Sequence, residues 1–128
     1  MQSIPRSTIL FVDDDDAVRR LIRRILAADF ELLEAERADA AVAVAAAAPG
    51  SIDLLLTDVV MPGGGGETLA RNLLATRKDL RVLYMTGYGA AAVMPGGLSR
   101  PSDCLQKPFT ARSLRDAIHR ALGTQEGE

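Results

Sequence analysis

Residues 52–58 read Ile-Asp-Leu-Leu-Leu-Thr-Asp, and this segment is the best starting point for predicting the fold class. The consecutive leucines Leu54, Leu55 and Leu56 leave no polar face along the strand that the segment predicts. A strand of this kind is covered by helices on both sides, as in a parallel sheet, and lies near the centre of that sheet. Asp58 then stands at the carboxyl end of the predicted central strand.

Apolar runs alternate with helical patterns on both sides of this segment, which predicts a βαβ series. We therefore expect an α/β domain with a doubly wound, five-stranded parallel sheet and helices on both faces. The predicted strands are residues 8–12, 31–35, 52–57, 81–85 and 102–105.

The first helix is predicted from apolar residues that recur at i, i+3, i+4, i+7 and i+8, with arginines on the other side. The apolar positions are Val18, Leu21, Ile22, Ile25 and Leu26, and the polar positions are Arg19, Arg20, Arg23 and Arg24. Asp15 or Asp16 is suited to cap its start. Two further helices are predicted at residues 37–48 and 67–76.

The fourth helix is the weakest prediction, because residues 89–94 allow only about a turn and a half before Pro95-Gly96-Gly97 breaks it. We expect this helix to be short or disordered. A last helix follows Thr110, which is placed to cap it, and ends near Leu122.

Length and composition indicate one domain over residues 1–128, with an ordered core of about residues 7–122 and a frayed tail at 123–128. The net charge of −2 gives no overall attraction to nucleic acid or to an anionic membrane. The longest apolar run, residues 41–48, is far shorter than a membrane span. With one cysteine, Cys104, and no signal peptide pattern, we expect a cytoplasmic protein.

Reactive side chains follow four of the five predicted strands. Asp13 and Asp14 follow the first strand, Asp58 the third, Thr86 the fourth and Lys107 the fifth. Ligands bind beyond the carboxyl ends of strands in open parallel sheets, so we expect these side chains to share one edge.

Three carboxylates at this edge repel each other by roughly 3 kcal/mol per pair at about 5 Å and an effective dielectric near 20. A Mg²⁺ ion offsets that repulsion, because it prefers oxygen ligands and keeps positions for a phosphate. Lys107 adds a positive charge and Thr86 a hydroxyl donor. This combination predicts a site that accepts a phosphoryl group, with Asp58 as the nucleophile.

The chain resembles the receiver domains of response regulators, from residue 8 to residue 122. Four stretches carry the resemblance together, in the order and at the intervals of the family. They are Ile9-Leu10-Phe11-Val12-Asp13-Asp14, Leu55-Leu56-Thr57-Asp58-Val59-Val60-Met61-Pro62 with Gly66 eight residues after the aspartate, Val82-Leu83-Tyr84-Met85-Thr86-Gly87, and Lys107-Pro108-Phe109.

The resemblance implies a flavodoxin-like strand order of 2-1-3-4-5 and a role for each site residue. Asp13 and Asp14 would hold Mg²⁺, and Asp58 would be phosphorylated and would also bind the metal, to which Val60 would contribute its backbone carbonyl. Thr86 would donate a hydrogen bond to the phosphoryl group, and Lys107 would pair with it. The family's cis bond is expected at Lys107–Pro108.

The resemblance also implies a donor, namely a phosphohistidine on a histidine kinase or a histidine phosphotransferase. The chain is similar to receivers of hybrid sensor kinases, and the sequence leaves open whether it is free-standing or excised. Such a module catalyses its own phosphorylation and dephosphorylation and signals to a downstream protein, which the sequence does not identify. It is not a metabolic enzyme.

Receivers usually signal through the face formed by the fourth helix, the fifth strand and the last helix. This chain departs from the family there, because Cys104 stands where a Tyr or Phe is usual, three residues before the lysine. We therefore expect that phosphorylation does not cause dimerisation through this face, and that partners are recognised through Val18, Arg19 and Leu21 of the first helix. The alternative is an interaction module that keeps the fold but works without phosphorylation. A hydrolase with an aspartyl nucleophile is disfavoured, because Val60 replaces its acid/base aspartate.

Overall fold

The computed structural model describes residues 6–61, 65–87 and 104–123. Five strands and four helices lie within these ranges. They are β1 (Thr8–Val12), α1 (Asp16–Leu26), β2 (Glu31–Ala35), α2 (Ala38–Ala47), β3 (Leu54–Asp58), α3 (Gly66–Leu74), β4 (Arg81–Thr86), β5 (Cys104–Gln106) and α4 (Ala111–Leu122). The short helix predicted at residues 89–94 lies outside the described residues.

The five strands form one parallel sheet in the order β2-β1-β3-β4-β5. This order confirms the predicted doubly wound fold and the central place of β3. The bounds of β1 and β2 agree with the prediction. β3 begins two residues later than predicted and includes Asp58, and β4 extends to Thr86.

The two faces of the sheet pack against different helices. Ile9 and Phe11 of β1 contact residues of α1 and α4, whereas Leu10 and Val12 contact residues of α2 and α3. All four side chains are fully buried, as the two-residue period of a strand requires when both faces are covered. The predicted site residues lie at the carboxyl edge of this sheet.

Side-chain caps fix where the helices begin on either side of this edge. Asp15 accepts a hydrogen bond from the backbone N–H of Ala17 at 2.9 Å and caps α1. Thr110 accepts one from the N–H of Ser113 at 3.0 Å and caps α4. Both caps were predicted, and each typically contributes about 1 kcal/mol.

The predicted faces of α1 need one correction. Leu21, assigned to the apolar side, is 42% exposed, whereas Arg19, assigned to the polar side, is only 8% exposed. The narrower stripe of Ile22, Ile25 and Leu26 is enough to cover the sheet. Arg19 can be buried because its charge is paired with Asp16 and Glu34, which offsets part of the cost of desolvation.

Within the described ranges, no helix has both the length and the apolar character needed to cross a bilayer.

Candidate functional site

Three aspartates meet at the carboxyl edge of β1 and β3. These strands are neighbours in register, with Val12 opposite Thr57, so the residues that follow lie side by side. One carboxylate oxygen from each of Asp13, Asp14 and Asp58 lies within 4.8 Å of the others. Asp13 is fully buried, Asp14 is exposed, and Asp58 lies between these extremes.

Lys107 brings a positive charge into this cluster. Its Nζ donates to Oδ2 of Asp13 at 2.7 Å and lies 3.4 Å from Oδ2 of Asp58. The backbone N–H of Lys107 donates to the carbonyl of Thr86 at 2.7 Å, which ties the residue to the end of β4. The Lys107–Pro108 bond is cis, which confirms that prediction.

Thr86 and Val60 are both close to Asp58 in the fold, one at the end of the neighbouring strand and the other in the loop that follows Asp58. Asp58 pairs with Met85 in the sheet, so Thr86 stands one residue further along the neighbouring strand, and it is buried. Val60 follows Asp58 by two residues and is 69% exposed. The N–H of Val59 donates to the carbonyl of Met85 at 3.0 Å, which fixes the start of the loop that carries Val60.

Gly66 explains how α3 approaches Asp58 so closely. Its N–H donates to the carbonyl of Val59 at 2.9 Å. A Cβ atom at this position would overlap the backbone carbonyl oxygen of Asp58. The absence of a side chain therefore lets α3 begin directly beneath the loop after Asp58.

The electrostatic balance at the edge is unfavourable to a charged Asp58. Burial raises the pKa of Asp58 to about 6, and the charges of Asp13 and Asp14 act in the same direction, against the opposing effect of Lys107. Burial alone lowers the pKa of Lys107, but its hydrogen bond and charge interaction with Asp13, together with Asp58, raise that pKa overall. At neutral pH the lysine is therefore charged. Asp58 is largely ionised at that pH, but its surroundings make the charged form less stable than it is in an exposed aspartate.

The donor set fits a divalent cation. Carboxylate oxygens are hard ligands of the kind that Mg²⁺ binds, and the three offered here are close enough to share one ion. Lys107 offsets one of the three negative charges. Asp13, Asp14 and Asp58 together therefore retain a charge that a dication would neutralise.

Arg19 belongs to this site but was not among the predicted site residues. Its guanidinium donates to the backbone carbonyl of Asp13 at 2.6 Å and to Glu34 of β2 at 3.1 Å. The helical pattern treats Arg19 like Arg20 and Arg23. Its spacing of three from Asp16 is a weak signal, since Arg20 has an equivalent spacing of four.

The comparisons with known proteins agree in one description. The family model of the response regulator receiver domain matches residues 9–119. The chain is 34% identical over 116 residues to the response regulator receiver protein CpdR of Brucella abortus, covering 89% of this chain and 95% of CpdR. It is 30% identical over 125 residues to the sensor kinase CckA of the same organism, covering 94% of this chain but only 13% of the kinase.

Solved structures show the same likeness. The receiver domain of the hybrid histidine kinase CckA is 34% identical, with a TM-score of 0.69, and the match covers 91% of this chain and 99% of that one. A response regulator receiver domain protein from Clostridium thermocellum is 27% identical, with a TM-score of 0.76 and coverage of 91% and 94%.

Proposed function

Since this chain belongs to the response regulator receiver domain family of two-component signalling, we propose that it accepts a phosphoryl group from a phosphohistidine onto Asp58. The observation that carries this proposal is the cluster of Asp13, Asp14 and Asp58 in contact with the ammonium of Lys107. This edge offers one carboxylate as acceptor and other groups that neutralise the incoming charge.

In the proposed transfer, a carboxylate oxygen of Asp58 attacks the phosphorus atom. The new O–P bond forms as the P–N bond to the donor histidine breaks, and the imidazole nitrogen takes up a proton. Although the pKa of Asp58 is raised to about 6, the carboxylate is still largely ionised at neutral pH, and it is more basic than an ordinary aspartate.

Other residues would stabilise the transferred group. The Lys107 ammonium would pair with a phosphoryl oxygen, and the Thr86 hydroxyl would donate to another. Mg²⁺, when held by Asp13, Asp14, Asp58 and the Val60 carbonyl, would supply neutralising charge to the transferred oxygens. Asp13 would then exchange part of its contact with Lys107 for the cation.

The partners follow from the same proposal. The sensor kinase and hybrid kinase among the similar proteins support a histidine kinase or a histidine phosphotransferase as the donor. The exposed Leu21 and the half-buried Val18 on α1 are available for such a contact, whereas the buried Arg19 is not. The phosphorylated domain would signal to a downstream protein by direct contact.

Incubation with acetyl phosphate and Mg²⁺ tests the proposal. We expect the intact mass of the protein to increase by one phosphoryl group, and we expect no increase for Asp58→Ala or in the presence of EDTA. Asp29→Ala, which changes an exposed aspartate in the loop after α1, is the matched control and should still gain the group. An unmodified wild-type protein, or equal modification of Asp58→Ala, would contradict the proposal.

A further inference from the structure

Arg19 links three parts of the chain beneath the acidic cluster. Its guanidinium donates to the carbonyl oxygen of Asp13 at 2.6 Å, to Asp16 at 2.8 Å and to Glu34 at 3.1 Å. These partners lie in the loop after β1, in the first turn of α1 and in β2. The Arg19 side chain is 10% exposed, and its contact with the carbonyl of Asp13 is buried, whereas those with Asp16 and Glu34 are partly buried.

The polar groups of Asp13 are fixed from several directions. Oδ1 accepts from the N–H of Asp15 at 2.8 Å, Oδ2 accepts from Lys107 at 2.7 Å, and the carbonyl accepts from Arg19. The contact with Arg19 is charge-assisted and is therefore stronger than a hydrogen bond between neutral groups. It holds the peptide that joins Asp13 to Asp14, the two carboxylates that β1 delivers to the edge.

We propose that Arg19 is a positioning residue that holds Asp13 and Asp14 in the geometry that binds a divalent cation. This inference rests on the proposed metal site and adds to it a residue that does not itself touch the ion. Partners that orient the ligands of a metal typically change its affinity by about 10- to 100-fold when they are removed.

Arg20 and Arg23 share acidic partners with Arg19, so a comparison with them distinguishes positioning of Asp13 from general stabilisation of the fold. Arg23 also pairs with Glu34, at 2.7 Å, and Arg20 pairs with Asp16, at 3.0 Å. The side chains of Arg20 and Arg23 are both more exposed than that of Arg19. The hydrogen bond to the carbonyl of Asp13 comes from Arg19. In Arg19→Gln, Glu34 would still pair with Arg23 and Asp16 with Arg20. The main change would therefore be the loss of the hydrogen bond to the carbonyl of Asp13.

The experiment is a MgCl₂ titration of wild type, Arg19→Gln and the matched control Arg23→Gln, followed by amide chemical shifts at constant ionic strength. The same spectra show that each variant is folded, and urea unfolding in EDTA gives each free energy of unfolding. We expect Arg19→Gln to raise the Mg²⁺ Kd by about 10-fold or more. We expect Arg23→Gln to stay within about two-fold of wild type, because exposed ion pairs contribute little.

A purely structural role would lower the free energy of unfolding of Arg19→Gln and leave its Mg²⁺ Kd within about two-fold of wild type, which would overturn the inference. If Arg19→Gln does not fold, Arg19→Met replaces it, because methionine keeps an unbranched apolar stem and has no donor for the carbonyl of Asp13. A Kd for Arg19→Met equal to that of wild type would likewise overturn the inference. If wild type binds no Mg²⁺, the proposed metal site fails and takes this inference with it.

Discussion

Asp58 combines two opposing properties within one side chain. It must be ionised to act as a nucleophile, yet burial and the charges of Asp13 and Asp14 raise its pKa to about 6. Ionisation of Asp58 therefore lowers the free energy of unfolding. This balance predicts a pH dependence that an ordinary surface aspartate does not have.

Asp58→Asn should stabilise the metal-free protein at pH 8. Because the pKa of Asp58 rises from 3.8 in the reference state to about 6, the folded state binds more protons than the unfolded state between these values. The free energy of unfolding therefore falls as pH rises through this window. We expect a gain of about 1 kcal/mol for the variant at pH 8, after allowance for solvent screening and the lost Lys107 contact.

Urea unfolding in EDTA at about pH 4 and at pH 8 measures this effect. The difference between Asp58→Asn and wild type should nearly vanish at the lower pH, where wild-type Asp58 is protonated. Asp29→Asn, at an exposed position, provides the control. If the difference in free energy of unfolding were the same at both pH values, ionisation of Asp58 would not be what destabilises the folded protein.

Val60 is predicted to make the phosphorylated state long-lived. It is 69% exposed beside Asp58 and offers no carboxylate or amide to orient an attacking water. Val60→Asn should therefore speed loss of the phosphoryl group, by up to about 10-fold. The family resemblance places Tyr88 as well as Val60 beside the path of the attacking water, but Tyr88 lies outside the described residues.

The measurement for Val60 is the decay of the phosphorylated mass after removal of acetyl phosphate. Val42→Asn is the matched control, because Val42 on α2 is also exposed and lies outside the site. Slower decay in Val60→Asn than in wild type would refute the prediction.

At the scale of elements, the sequence predicts the strands better than the orientation of α1. The strands can be predicted from apolar runs such as Leu54-Leu55-Leu56, because the sequence of the strand itself indicates that both of its faces are buried. The inward turn of Arg19 depends on Glu34 and on the carbonyl of Asp13, which other elements supply. No periodicity within α1 contains that information.

The junction of β3 and α3 provides a test at this scale. Gly66→Ala should destabilise the protein by about 1–3 kcal/mol, because the added Cβ overlaps the carbonyl of Asp58 and forces the backbone to shift. Gly50→Ala is the matched control, since its Cβ would meet nothing within 4 Å. Urea unfolding compares the two variants, and equal stabilities would contradict this account of Gly66.

At the scale of the whole molecule, the site was predictable because a parallel sheet delivers the ends of β1, β3, β4 and β5 to one edge. Asp13, Asp14 and Asp58 were expected to share that edge, and their oxygens meet within 4.8 Å. Lys107 was expected at the same edge, but its hydrogen bond to Asp13 could not be predicted, because strand order does not determine which carboxylate the side chain contacts.

Cys104 leads to a prediction about assembly. It is half-buried at the start of β5, opposite Tyr84 of β4, where the family resemblance leads one to expect a Tyr or Phe. Without an aromatic side chain of about 150–250 Å² to move, this face has little surface to present differently in two states. We therefore expect the protein to keep its mass in light scattering when beryllofluoride and Mg²⁺, which mimic the acyl phosphate, are added.

A doubling of mass that Arg112→Ala or Arg115→Ala abolishes would contradict this prediction, because both residues lie on α4, beside β5. A doubling that persists in both variants would mean that the protein dimerises through another surface.

Chemical mapping of the phosphorylated residue tests whether Asp58 is the acceptor. After incubation with acetyl phosphate and Mg²⁺, borohydride reduces an aspartyl phosphate to homoserine, and tandem mass spectrometry of the peptides locates that residue. We expect homoserine at position 58 and unmodified aspartate at positions 13 and 14. Homoserine at Asp13 or Asp14, or its absence throughout the chain, would contradict it.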